Sequence, residues 1–418
     1  MLNRMNAPEL SRIATIDFVK PQIFDVSKNV KLYFMQEVSD ETARLDLYFD
    51  AGTIKGDVGI ASMVNGLLLS GTDAKTSVQI HNEIDGLGGF FESGISNENA
   101  VITVYSLREN MLPIVQVLKN AIENLSLHEY EVEELVNDRK QKFKVNMEKV
   151  SFLAQRQFQK NLFNHSIYGR IAGESDFDTI TTRGLRRFFD QNYLHGLTKI
   201  VVVGNLSQDE VDEIIDCFGS WSVTKNPEFE SDIHNLPGTS HVEKDKALQT
   251  ALRVGRTLFN KTHKDYPDFL VLNTILGDYF GSRLMSNIRE DKGYTYGIGT
   301  LVAELHEIGY FLIATEVGKE VKDATIREIQ FEIERLQKEL VGEEELILVK
   351  NYMLGQLLKS ADGPYALMDL YMGVEPYGLE LDFYNRLIDA INNITPQRIQ
   401  QLAIDYLKWE DMTIVSAG

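Results

Sequence analysis

The sequence predicts an α+β fold built from two homologous domains, each a mainly antiparallel sheet with helices packed on one face. Three observations lead to it. ITTRGLRRFFDQNYLHGLTKIVVVGNL from Ile180 matches ITPQRIQQLAIDYLKWEDMTIVSAG from Ile394, 214 positions further on, and both read as a helix followed by a terminal strand. IDGLGGFFESG from Ile84 matches IREDKGYTYGIG from Ile288 at an offset of 204. Two similarities at nearly one offset mark a duplicated unit. Finally, 418 residues exceed what a single core supports, so two domains of about 200 residues are expected.

The elements follow in order. KLYFMQE and ARLDLYFDAG are β-rich runs that open the first domain, taken as 1–220. Helical spacing of apolar residues predicts helices over Met111–Leu125 and Glu129–Val150. Ser207 with Glu210 forms a capping box after the strand ending at Gly204. The stretch 221–240, WSVTKNPEFESDIHNLPGTS, carries two prolines, a glycine and mixed polar residues, and reads as a linker. The second domain, 241–418, opens with the strand LQTALRVGRTL and continues with helices over Val321–Leu340 and Glu343–Ser360. Thr395 before Pro396 supplies an N-cap and a first helical position.

Composition excludes several classes. Hydrophobic content of 43% and charged content of 25% are those of a globular protein, not a disordered one. Apolar runs such as IVVVG around Val202 are strand-length, far below the roughly 20 residues of a membrane helix. The opening MLNRMNAPELSRIATIDF lacks an apolar signal core, so a cytoplasmic location is expected. A net charge of −20 argues against nucleic acid and anionic membranes as partners, and suits solubility or the attraction of basic peptides. Cys217 is the only cysteine, so no intrachain disulfide forms, and VDEIIDCFG places it on an apolar helical face in a structural role.

Two segments carry chemistry. SRLMSNIREDKGYTYGIGT from Ser282 places Arg289 at the end of a helix and Gly293 in the turn, with Tyr294 and Tyr296 alternating onto one face of the next strand. A guanidinium and a phenol that converge there supply donors to a carbonyl or an oxyanion. The bland alternative pairs Arg289 with Glu290 or Asp291 and leaves Tyr296 a half-buried strand residue. The other segment is GIASMVNGLLLSGT from Gly59. None of the eight histidines, His81, His128, His165, His195, His234, His241, His263 and His306, is paired at i, i+3 or i, i+4, so no metal site is legible. His165, in HSIYGR, is expected in a turn between helices. Gly88 and Gly89 are followed by neither a Lys-Ser/Thr pair nor a helix, which excludes a phosphate loop.

The order of elements, the duplication, LLLSGT after a helix, GLGGF before a strand, HSIYGR, and ILGDYFGSRLMSNIREDKGYTYGIG from Ile275 together resemble the insulinase/pitrilysin zinc metallopeptidases, including the mitochondrial processing peptidase subunits. The resemblance spans nearly the whole chain and implies a half-clamshell of two related domains. In that family an HxxEH helix binds zinc and activates water. Here Ser62, Asn65 and Gly66 occupy those three positions, and none can bind zinc or take its water's proton. The family's third ligand, a Glu roughly 75 residues downstream, falls within LVNDRKQKFKVN, which offers Asp138 but no Glu. The polar stretch that follows GG in the family is replaced here by Phe90, Phe91, Glu92, Ser93 and Gly94, which departs from its substrate strand.

The resemblance therefore implies a chain with no cofactor of its own. Its Arg289 and Tyr296 would serve a site whose zinc sits in a homologous HxxEH subunit, the two chains enclosing a chamber for peptides or small unfolded proteins. A binding or scaffold protein that keeps the fold without proteolysis is the second reading. Independent zinc hydrolysis is the third.

Overall fold

The computed structural model describes residues 13–223, 233 and 235–418. Much of the interdomain segment (224–232 and 234, which includes His234) and the first twelve positions of the chain lie outside the described residues.

The first half holds a six-stranded sheet of β1 (Gln22–Ser27), β2 (Val30–Gln36), β3 (Thr42–Phe49), β4 (Phe90–Ile95), β5 (Ala100–Leu107) and β6 (Leu197–Gly204), in the order β1-β2-β6-β3-β5-β4. The second half holds β7 (Gly238–Val242), β8 (Gln249–Leu258), β9 (Thr295–Glu304), β10 (Gly309–Gly318) and β11 (Thr413–Ala417), ordered β7-β11-β8-β10-β9. In each sheet the duplicated terminal strand, β6 or β11, runs parallel to one neighbour and antiparallel to the other. The second order is the first without β1. The two halves share one strand plan.

Helices follow the same plan. The first half has α1 (Ile60–Leu67), α2 (Ser77–Gly86), α3 (Arg108–Glu123), α4 (Glu129–Met147), α5 (Val150–Phe163), α6 (Thr182–Phe189) and α7 (Gln208–Phe218). The second has α8 (Tyr266–Leu276), α9 (Lys322–Lys338), α10 (Glu343–Lys359), α11 (Gly363–Val374), α12 (Asp382–Asn393) and α13 (Pro396–Tyr406). The expected helix over Glu129–Val150 is α4, which ends at Met147; the chain turns at Glu148 and Lys149, and the extended backbone of Lys149 caps a further helix, α5. The repeat-bearing helices start alike, Thr181 accepting from the Gly184 amide and Thr395 from the Arg398 amide. The Ser207/Glu210 capping box forms as read, and Glu210 also takes Arg108 at 2.7 Å. Among the described residues no helix is long and apolar enough to cross a membrane.

Each sheet is apolar on both faces, as the almost unbroken apolar run of β2 requires. Leu32, Phe34, Leu45, Leu47, Ile200 and Val202 face the helices of their own half. Tyr33, Met35, Val201 and Val203, one residue out of phase, pack with Met368, Tyr371 and Met372 of α11 from the other half. The exchange is reciprocal. Leu153, Ala154, Phe158 and Leu162 of α5 pack on Ala251, Leu312, Val415 and Ala417 of the second sheet. Gly255 makes room there, since a Cβ would stand 3.0 Å from the Phe158 ring.

Polar contacts repeat the symmetry. Arg44 on β3 donates to Asp369 on α11 at 2.7 Å, and Arg253 on β8 donates to Gln155 on α5 at 3.1 Å. Asp369 and Gln155 are 214 positions apart, the offset of the duplication. Arg44 also faces buried Asp46 at 3.2 Å; burial pushes the Asp46 carboxyl up to about 6, with the guanidinium opposing. Glu375, just past α11, accepts from Tyr33 of β2 at 2.7 Å and pairs with Lys199 of β6. Cys217 is buried, with the Gln116 amide donating to its Sγ at 2.8 Å, and burial pushes its thiol up.

The segment between the sheets is shorter than 221–240: buried Trp221 donates to Glu123 at 2.8 Å, Val223 bridges to Gly196, and β7 begins at Gly238. At the other end, Ile13 and Ile16 lie against the second half, where Asn385 exchanges two hydrogen bonds with the Ile16 backbone.

Two outcomes follow from this exchange. Trp221 sits in the first half and Trp409 packs on the second half's core, so each reports one half. Single-tryptophan variants Trp221→Phe and Trp409→Phe are expected to give coincident urea transitions, and Phe158→Ala to lower both midpoints together with a loss of about 3–5 kcal/mol. Separated midpoints would mean the halves fold independently. Asp46 binds its proton more tightly folded than unfolded. Its charge therefore costs stability as pH rises from about 4 to about 6, and Asp46→Asn should remove that decline in denaturation curves taken across the window.

Candidate functional site

The first-half frame lies on α1, entered through Gly59 in the left-handed region at φ 89°. Ser62 turns its hydroxyl back to donate to the Gly59 carbonyl at 2.9 Å. Asn65 is buried and gives its amide to the Gly94 carbonyl of β4 at 3.2 Å and towards the Tyr193 hydroxyl at 3.4 Å. Gly66 faces α4, where a Cβ would stand 3.3 Å from Leu135 and 3.4 Å from an Arg139 Nη. Asp138, the acid within the segment expected to hold the third ligand, is held by Lys142 at 2.7 Å one turn on.

Asn65, Gly66 and Asp138 border a cavity of about 360 Å³ that also presents His81, Glu131 and Glu134, and Ser62 lies outside its lining. Sequence reasoning passed over Glu131, Glu134 and Arg139, and set His81 aside for want of a partner at helical spacing, because α2 and α4 reach this region from positions far apart in the chain. His81 donates from Nδ1 to the Ser77 carbonyl at 2.8 Å within its own helix. Among the described residues no group of three or more His, Cys, Asp or Glu side chains is placed to hold a metal. The donor set does not fit zinc. A hydroxyl spent on a backbone carbonyl replaces the first imidazole, an amide spent on another replaces the carboxylate that would take the water's proton, and a guanidinium stands where the second imidazole would project.

The second-half segment is built differently. α8 ends at Gly277, which lies so close to β9 that a Cβ would meet the Thr300 methyl at 2.4 Å. The loop that follows is tied to α10 twice: the Tyr279 ring lies 5.2 Å from that of Tyr352, and buried Arg283 forms a two-pronged pair with Glu345 at 2.8 and 2.9 Å. Burial pushes the Asp278 carboxyl up within this loop, the Asn273 amide opposing it. Between the ties Phe280 remains 64% exposed.

Arg289 does not end an α-helix; it lies within a π-helical stretch, Met285–Asp291, a wider winding common at functional sites. Gly293 makes the turn at φ 64°, as Gly88 does at φ 67° between α2 and β4, so the repeated motif has one backbone solution. The expected alternation of Tyr294 and Tyr296 fails for a local reason. Tyr294 precedes β9 and packs on the core, whereas Tyr296 is 92% exposed. Thr295 pairs with Val317 and Ile298 with Thr315, so Tyr296 and Gly297 together oppose the single residue Glu316. That is a β-bulge, and bulges re-aim side chains.

Neither half of the bland alternative is present. Among the described residues Arg289 forms no ion pair or hydrogen bond, and its guanidinium rests 4.8 Å above the Phe280 ring. β9, which carries Tyr296, is the sheet edge and among the described residues pairs only with β10, so it offers an unpaired row of backbone groups.

Residues 33–171 match the family described as insulinase, peptidase family M16, and residues 179–353 match the peptidase M16 inactive domain. The chain belongs to peptidase family M16. It is 24% identical over 309 residues to an uncharacterized zinc protease of Rickettsia felis, covering 73% of this chain and 74% of the relative. It is 19% identical over 411 residues to the mitochondrial-processing peptidase subunit beta of Rattus norvegicus, covering 90% and 80%. The probable inactive metalloprotease YmfF of Bacillus subtilis is 21% identical over 256 residues, covering 60% of this chain and 59% of that protein. A crystal structure titled as a peptidase M16 inactive domain from Pseudomonas fluorescens shares the fold at a TM-score of 0.86, with 22% identity over 96% of this M16 chain and 98% of the other.

The crowded Gly66 site has a direct consequence. Restoring the motif as Ser62→His, Asn65→Glu and Gly66→His is expected to leave zinc below one per chain by elemental analysis. A new imidazole meets Leu135 and Arg139, and Asp138 stays paired with Lys142. Full zinc loading of that triple variant would show that Arg139 yields.

Proposed function

We propose that this chain is the noncatalytic, substrate-positioning subunit of a heterodimeric zinc metalloendopeptidase that hydrolyses peptides or small unfolded proteins in the cytoplasm. Its partner is a homologous HxxEH subunit that holds the zinc, and this chain binds none. The observation that carries the reading is Arg289, a guanidinium with no anionic partner among the described residues in a chain of net charge −20, followed on the next strand by a phenol turned out by a bulge. A planar fork left unneutralised on an aromatic ring is set to receive acceptor oxygens from a ligand.

In this role Arg289 and Tyr296 donate hydrogen bonds to the substrate carbonyl and hold the negative charge that grows on its oxygen. Donors fixed in advance act mainly on the transition state, at about 3 kcal/mol each. The zinc of the partner supplies the activated water. Residues of this chain bind, orient and hold charge.

A second reading, a scaffold without proteolysis, is favoured by the four positions at which the first half has lost its metal chemistry. The two readings separate on one experiment. With the HxxEH partner present, Arg289→Ala and Tyr296→Phe are expected to leave complex formation intact and lower kcat about 10²-fold or more. Arg289→Lys should restore only part of it, because a point charge lacks the fork. Unchanged turnover in all three variants favours the scaffold.

A further inference from the structure

The loop that carries Phe280 cannot hide its ring. Gly277 is pressed against Thr300, Tyr279 lies on Tyr352, and Arg283 is clamped by Glu345, so the loop is fixed on both sides of an exposed aromatic side chain. Glu345 and Tyr352 are two helical turns apart on α10 and therefore mark the face of that helix turned to the loop. Leu348, three residues after one tie and four before the other, lies in the same row and is 58% exposed. Ile347 beside it is 51% exposed, while Leu346, Val349 and Leu357 fill the core below. α10 is thus apolar on its outer side as well, the pattern of a helix that is covered when the protein works.

The geometry points to an apolar side-chain subsite, formed by Phe280, Leu348 and the Tyr279–Tyr352 pair, that receives an aliphatic or aromatic residue of a bound extended peptide. The inference rests on the proposed peptide-positioning role of Arg289 and deepens it. The occupant is a peptide rather than another subunit face because the patch leads to a charged head group: Phe280 lies under Arg289, and its neighbour in the chain, Tyr279, packs on Tyr352 of the apolar row. A ligand that satisfies both needs carbonyl oxygens for the fork and an apolar group next to them. A peptide strand along the free edge of β9 brings both, since its carbonyls repeat at the spacing of its side chains. Phe280 is then both a wall of the subsite and a positioning residue, because its ring holds the guanidinium plane.

The test uses the full-length chain without a partner, so that zinc chemistry does not enter. Binding is measured by fluorescence anisotropy with two labelled short peptides, identical except for a central leucine pair or serine pair. The wild-type chain is expected to prefer the leucine peptide about tenfold or more, the effect of burying one aliphatic side chain. Phe280→Ser and Leu348→Ser should each erase most of that preference, and Phe280→Tyr should retain it. Arg289→Ala should weaken both peptides alike and keep the preference. Leu358→Ser, an exposed apolar position one and a half turns beyond Tyr352, should change nothing. Unfolding midpoints within error of wild type exclude misfolding for these exposed sites.

A preference that survives both serine variants overturns the subsite, while equal weakening by Arg289→Ala in the same experiment leaves the positioning role standing. No preference in the wild-type chain also overturns it. Loss of co-elution with an HxxEH subunit in Phe280→Ser or Leu348→Ser, with selectivity intact, would instead make this face a subunit interface and overturn the proposal.

Discussion

The reciprocal exchange of α5 and α11 is the contact on which the rest of the structure depends. Each half builds a sheet that is apolar on both sides but folds its own helices onto only one of them. An uncovered sheet face would leave Tyr33, Met35, Val201 and Val203, or their counterparts around Val415, in water, at roughly 25 cal/mol per Å² of apolar surface. Crossing one helix from each half solves both problems together and locks the relative orientation of the halves. The Arg44–Asp369 and Arg253–Gln155 contacts, related by the duplication, add direction to an otherwise apolar seam.

That lock also defines what lies between the halves. A cavity of about 460 Å³ opens at the junction, walled by Ile54 and Tyr168 on one side and by Lys261, His306 and Tyr377 on the other. Glu98 accepts from the Tyr168 hydroxyl at 2.9 Å and from the His306 amide at 3.1 Å, so the β4–β5 turn of one half is tied to the β9–β10 turn of its repeat. Lys261 is engaged by Glu304, by the Gly373 carbonyl and by the Tyr377 ring. Glu98, Tyr168 and Lys261 are thus engaged within the chain, which makes the junction a structural joint.

The two segments that carry chemistry differ along a line that hydrogen bonding makes visible. In the first, Ser62 and Asn65 are turned inward to backbone carbonyls, Asp138 is paired with Lys142, and Arg139 stands over Gly66. In the second, Arg289 has no anion and Tyr296 no partner among the described residues, although the loops around them are tightly tied. Polar groups that answer one another inside a chain stabilise it. Those held rigid and left unanswered are the ones free to answer something else.

Much of this was legible in the sequence, because it depends on near neighbours. The duplicated helix and strand, the caps at Ser207 and Thr395, the turn glycine at Gly293 and the short polar or missing side chains at Ser62, Asn65 and Gly66 are each set by a few consecutive residues. Other features required the fold. The break at Glu148 and Lys149 frees α5 to cross to the other half, and nothing local shows where a helix's apolar face will land. His81 and Arg139 reach the old motif from separate helices, and Phe280 meets Arg289 only because its loop is clamped to α10. Tyr296 points outward through a bulge whose register is a relation between β9 and β10 rather than a property of either strand. The sequence by itself determined the elements, their duplication and the residue types that each segment offers for chemistry; tertiary structure alone decided which faces are covered and which charge is left unpaired, since both depend on contacts between residues distant in the chain.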